Sequence, residues 1–227
     1  MTTLIGIKAD KGERGIILAS DLSATRTEWK SQGDVAYRQQ SKHESQKIYV
    51  DNNREIAIAT AGVFDQYAID FLSALIDGKI DFKKAIEKGF FNDLVNLNLG
   101  RWDGRTPQSE YLTGLLIATR FNNDPKLFTC YPLGRIEEKS WTSIGSGSEY
   151  ATSFISKKGL LIPGGLELKT GVDLAVKALD EASQDIYTGG LDLTVIKIGE
   201  ITEYGQKIRD SIAKAREYAI GHLEGLN

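Results

Sequence analysis

Thr2-Thr3-Leu4-Ile5-Gly6-Ile7 and Gly15-Ile16-Ile17-Leu18-Ala19-Ser20-Asp21 stand on either side of a turn-rich run, Lys8-Ala9-Asp10-Lys11-Gly12-Glu13-Arg14. Two short apolar runs separated by Asp, Gly and charged residues predict a β-hairpin. The chemistry lies at its edge. Thr2 follows Met1 directly, and Ser20-Asp21 closes the second strand. Once an aminopeptidase removes Met1, Thr2 holds both a hydroxyl nucleophile and a free α-amine. Such an amine has an unperturbed pKa of about 7.7–8.0, close to working pH, so it can take the proton of its own side chain. Methionine removal is therefore the expected activation step, with no propeptide to cleave, and the small Thr side chain permits it. The hairpin is expected to return the Asp21 carboxylate beside residue 2.

The rest of the composition narrows the class. A chain of 227 residues, 41% hydrophobic and 26% charged, is long enough to bury a large core, and a single domain over residues 1–227 is expected. The formal charge of −3 and the absence of a long basic run argue against nucleic-acid binding. Cys130 is the single cysteine, which excludes an intrachain disulfide and favours a reducing compartment. No signal-peptide pattern and no apolar run near the ~20 residues of a membrane span are present, so a cytoplasmic protein without a membrane partner is expected. His43 and His222 lack further ligands at metal-binding spacing, and neither a metal nor a cofactor is expected. Cys130 lies in an apolar strand and reads as a small buried hydrophobe.

Along the chain, Ser23 to Ser45 reads as a solvated polar loop with its turn at Lys30-Ser31-Gln32-Gly33-Asp34. Lys47-Ile48-Tyr49-Val50 and Glu55 to Thr60 read as strands around Asp51-Asn52-Asn53, with Lys47 at the start of the first. A Lys in that flanking place is expected to make little core contact, so Lys47→Ala should leave the fold intact. Two amphipathic helices are expected after Asp65 and Asp81, ending at Gly78 and Gly100. Tyr111 to Thr119 and Leu127 to Tyr131 read as paired strands, followed by a short strand at Ser140 to Ile144. Thr170 and Asp173 have the form of a capping box heading a long helix, with Val172, Ala175, Val176 and Leu179 inward. A strand over Leu191 to Ile196 and a helix over Gln206 to Leu223 complete an α+β layered pattern. Gly145-Ser146-Gly147-Ser148 lacks the Lys-Ser/Thr that a phosphate loop requires.

Taken together, Thr2 to Ile7, Ile17 to Asp21, Gln46 to Tyr49, Ala57 to Gly62, Ile144 to Ser148 and Asp185 to Asp192 resemble, in order, the β-type subunits of the proteasome. These are threonine peptidases of the N-terminal-nucleophile hydrolase superfamily. The resemblance implies the four-layer αββα sandwich of that superfamily, the Ntn-hydrolase fold. It also implies a catalytic set: Thr2 as nucleophile and base, Asp21 and Lys47 as its activating pair, and Ser146, Asp185 and Thr188 around the α-amine. The Gly62 N–H is the implied donor to the oxyanion, a contribution of about 3 kcal/mol for one such donor. The family usually has Ser at the place of Thr188, a basic pair at the place of Leu22-Ser23, and a shorter connection than Ser23 to Ser45. The extra segment lies near the implied cleft, where it can narrow access or meet a neighbouring subunit.

Three functions stay open at this level. The resemblance favours hydrolysis of peptide bonds in peptides or unfolded proteins inside a homo-oligomeric ring, with α-type subunits or an ATP-dependent unfoldase as candidate partners. An Ntn-type peptide ligase or transpeptidase would keep the nucleophile and pass the acyl group to an amine. A catalytically silent structural subunit would never expose Thr2.

Overall fold

A computed structural model describes residues 2–32, 35–51, 55–62, 114–121, 123–130, 136–159, 165–185, 188–197 and 200–204. The opening hairpin is its centre. β1 (Thr3–Ala9) pairs antiparallel with β2 (Gly15–Ser20), Leu4 opposite Ser20 and Ala9 opposite Gly15. On the other side of β1 lies β10 (Trp141–Gly145), and beyond β2 lie β11 (Asp192–Lys197) and β12 (Glu200–Glu203). A second antiparallel sheet runs β5 (Ile48–Asp51), β6 (Ile56–Ala61), β7 (Gly114–Phe121), β8 (Asp124–Cys130) and β9 (Ile136–Glu138) in sequence order.

Side-chain alternation along each strand explains the layers. Leu4, Ile16, Leu18 and Ile196 of the first sheet meet Ala57, Ala59, Leu116, Ala118 and Leu127 of the second in one buried core. Ile5, Ile7, Ile17, Val195 and Leu193 point the opposite way, into a core shared with α1 (Ser148–Gly159) and α2 (Leu168–Ala182). A sheet buried on both faces must read as a nearly continuous apolar run, as β1 and β2 do. Ile58, Leu115, Ile117 and Cys130 are also buried, at positions alternating with the inter-sheet residues. The helices expected over 65–78, 81–100 and 206–223 lie outside the described residues. Helix, sheet and sheet thus form the described part of a layered α+β sandwich.

Five sequence expectations change. Residues 23–32 and 35–44 are strands rather than loop: β3 (Ser23–Gln32) and β4 (Val35–Glu44) form a ribbon of ten residues per strand, with Gln32 opposite Val35. Thr25, Thr27 and Trp29 alternate there with Arg26, Glu28 and Lys30. That is a period-two pattern built from Thr and charge, which a search for apolar runs passes over. The capping box is absent: α2 begins at Leu168 behind Glu167, with no side-chain cap, and Thr170 lies inside its first turn. Its buried face is Leu168, Gly171, Leu174, Ala175, Ala178, Leu179 and Ala182, so Val172 and Val176 sit only at its margin. Helix α1 was not expected; only Ala151 and Ile155 of it are fully buried, too few to produce a visible stripe. Short β9 and β12 complete the list.

Gly6 sets the spacing between the sheets. A Cβ there would lie 2.8 Å from Leu127 Cδ1. Overpacking of that kind costs about 1–3 kcal/mol, more than the ~0.5–1 kcal/mol a strand gains on average by losing glycine's freedom. Gly6→Ala should therefore lower the urea midpoint, and should do so less in a Leu127→Val background. Equal losses in both backgrounds would show that this contact is not the cause.

Candidate active site

Lys47 stands just before β5, held by the hydrogen bond from Thr60 N–H to its carbonyl at 3.0 Å. Its Nζ donates to Asp21 Oδ1 at 2.7 Å and to the Ser23 carbonyl at 2.6 Å. Asp21, directly after β2, accepts two backbone donors as well: Thr3 N–H at 2.7 Å on Oδ1 and Ser23 N–H at 3.1 Å on Oδ2. Asp21 is 0% and Lys47 5% exposed, which corrects the expectation of a Lys with little core contact. Burial pushes the Asp21 carboxyl up and the Lys47 ammonium down, and their mutual attraction pulls each partly back. The strand register puts Asp21 opposite residue 3, one position further in than expected, since Asp21 N–H also donates to the Thr3 carbonyl at 3.1 Å.

A second cluster closes over the same strand end. Ser146 N–H donates to the Thr2 carbonyl at 2.8 Å. The preceding Gly145 has φ 105°, and a Cβ there would lie 1.7 Å from that carbonyl oxygen, so only glycine fits. Ser146 Oγ donates to Asp185 Oδ2 at 2.5 Å, and Thr188 Oγ1 donates to the same oxygen at 3.2 Å. Thr188 and Thr3 hydroxyls are 2.7 Å apart, and Gly147 N–H donates to Thr3 Oγ1 at 3.0 Å. Leu22 N–H and Ser23 N–H both reach the Gly189 carbonyl, at 2.9 and 3.1 Å, which ties the loop carrying Thr188 to the root of the β3–β4 ribbon.

The structure thus brings Asp21 to Lys47, and Ser146 to Asp185 and Thr188, around the strand end that carries Thr2. Thr2 itself is 7% exposed. Gly62 lies just beyond β6 at φ 118°, exposed, two residues from the Thr60 that anchors Lys47. Sequence reading missed Thr3, whose hydroxyl and N–H reach both clusters; the available signal was a second Thr placed opposite Asp21 by the hairpin register. Cys130 is buried and its thiol is pushed far above the usual range, which suits a packing residue. Among the described residues no His, Cys, Asp and Glu side chains group as metal ligands, and no helix is long and apolar enough to cross a membrane.

Comparison with known proteins fits this geometry. A family profile described as proteasome subunit matches residues 104–196. The proteasome subunit beta of Methanocaldococcus vulcanius is 30% identical over 211 residues, 91% of this chain and 84% of that protein. The chain belongs to the proteasome subunit family. Proteasome subunit beta 2 of Korarchaeum cryptofilum is 27% identical over 203 residues, covering 86% of this chain and 91% of its own. Proteasome subunit beta of Methanopyrus kandleri is 26% identical over 221 residues, 94% of each chain. The family is one of peptidases, these three relatives match 86–94% of the chain, and the layered α+β fold of this chain is the fold of that family.

The buried pair has a stability signature. Asp21, raised by burial, contributes most below its unfolded pKa of about 3.9 and loses that contribution as pH rises through its folded value. Lys47, lowered by burial, contributes most above about 10.4 and loses it as pH falls through its folded value. Near pH 7 burial therefore offsets much of what the attraction within the charged pair contributes. Lys47→Met should cost about 3–5 kcal/mol by stranding Asp21, while Asp21→Asn with Lys47→Met should recover most of it. Unfolding curves of the double-mutant cycle check this. A Lys47→Met protein as stable as wild type would mean that the pair is solvated.

Proposed function

We propose that the chain is a threonine-type endopeptidase that uses Thr2 as an N-terminal nucleophile, inside a ring-shaped, self-compartmentalised assembly of its own copies. The observation that carries this reading is the buried Lys47–Asp21 pair, whose shared oxygen also accepts the N–H of the residue next to Thr2. The Lys47 charge favours a neutral α-amine and an acidified Thr2 hydroxyl, and Asp21 holds that charge in place. The amine takes the hydroxyl proton, the Thr2 oxygen attacks the peptide carbonyl, and the Gly62 N–H receives the oxyanion. The amine proton then passes to the leaving amine, and water releases the acyl group. Ser146, Asp185 and Thr188 hold the polar surroundings of the amine. The β-type relatives support a ring, with α-type subunits or an ATP-dependent unfoldase as outer partners, and peptides or unfolded chains as substrates.

While Met1 is attached, the Thr2 nitrogen belongs to a planar amide whose lone pair is delocalised and accepts no proton. Protein beginning at Thr2 should hydrolyse fluorogenic peptides and react with an epoxyketone, which needs both hydroxyl and amine. Protein beginning at Met1 should do neither. Equal activity of the two forms would remove Thr2 from the mechanism. Light scattering at micromolar concentration should give a multimer; a monomer would count against the ring.

A further inference from the structure

We infer that Thr3 is a positioning residue for Thr2, acting through a one-way chain of hydrogen bonds that joins the two halves of the site. The inference rests on the reading of Thr2 as the nucleophile. Thr3 is 0% exposed, and its hydroxyl has two neighbours, Gly147 N–H at 3.0 Å and Thr188 Oγ1 at 2.7 Å. An N–H can only donate, so the Thr3 oxygen is the acceptor on that side. Thr188 spends its own proton on Asp185 Oδ2, so on the other side it must accept the proton of Thr3. The order that satisfies all three bonds is Gly147 N–H to Thr3, Thr3 to Thr188, Thr188 to Asp185. On its backbone, Thr3 donates its N–H to Asp21 Oδ1, the oxygen that Lys47 also holds.

The peptide between Thr2 and Thr3 is therefore clamped at three points. Ser146 N–H holds its carbonyl oxygen, Asp21 holds its N–H, and the hydroxyl chain holds the side chain that follows. Beyond this clamp the heavy atoms of Thr2 turn only about its own Cα–C and Cα–Cβ bonds, so the direction of the held peptide sets where its amine and hydroxyl can reach. A misplacement of about 1 Å at a reacting group costs roughly 100-fold in rate. Val has the shape of Thr without the hydroxyl, and Ser has the hydroxyl without the methyl, so the two substitutions separate packing from hydrogen bonding.

The assembled protein, trimmed to Thr2, is assayed on one fluorogenic peptide as wild type, Thr2→Ala, Thr3→Val and Thr3→Ser. Thr3→Val should lower kcat about 10- to 100-fold with KM nearly unchanged, and Thr3→Ser should restore most of kcat. Buried bulk alone would predict the reverse order, since Val keeps the volume of Thr. If Thr3→Val fails to assemble, Thr3→Cys, whose thiol is only a weak donor and acceptor, is judged by the same outcomes. Active wild type, inert Thr2→Ala and an unimpaired Thr3→Val would overturn this inference and leave the nucleophile in place. Inert wild type, or an active Thr2→Ala, would overturn both together.

Discussion

A buried ion pair governs this structure. Lys47 and Asp21 meet at 2.7 Å with almost no solvent access. Charges so placed cost several kcal/mol each in lost hydration, and that cost is offset only when geometry is close and the remaining polar atoms are satisfied. The satisfaction comes from four chain segments at once. Thr3 in β1, Asp21 after β2, Ser23 at the ribbon root and Lys47 before β5 each supply part of it. Since Lys47 precedes the second sheet and Asp21 follows a strand of the first, the pair also spans the two sheets. Their approach is therefore a condition for the site.

Small residues make that approach possible. Gly6 on one sheet and Ala57, Ala59 and Ala118 on the other leave room for Leu4, Leu18, Leu116 and Leu127 to interdigitate. The helices pack on the opposite face of the first sheet, and α2 delivers Asp185 just beyond its end, where Ser146 and Thr188 converge on one carboxylate oxygen. Both clusters thus lie at the same end of β1. The ribbon β3–β4 grows from the same place, with Ser23 contacting both members of the pair.

The opening hairpin, the strands around Lys47 and the pairing of β7 with β8 were legible because apolar runs and turn residues alternate there without competition. Elsewhere the signals conflicted. The ribbon is made of Thr and charged residues, so its periodicity is real while its hydrophobicity is low. Thr170 and Asp173 mimic a cap, yet the helix starts earlier because Leu168 is drawn into the core. Lys47 reads as a surface flank until a partner carboxylate, distant in sequence, is brought to it by the fold.

By itself the sequence determined the layered α+β pattern and the hairpin that carries Thr2, because local patterning is written position by position; Asp21, Lys47, Gly62, Ser146, Asp185 and Thr188 were singled out only by the resemblance to proteasome β-type subunits. Tertiary structure alone decided the depth of the Lys47–Asp21 pair, the register that sets Asp21 against Thr3, and the hydroxyl chain from Gly147 to Asp185. Apart from the step from Thr188 to Asp185, which are 3 positions apart, these contacts join residues separated by 18 to 185 positions. Burial and hydrogen-bond direction are properties of what surrounds a side chain, and a linear chain does not state its surroundings.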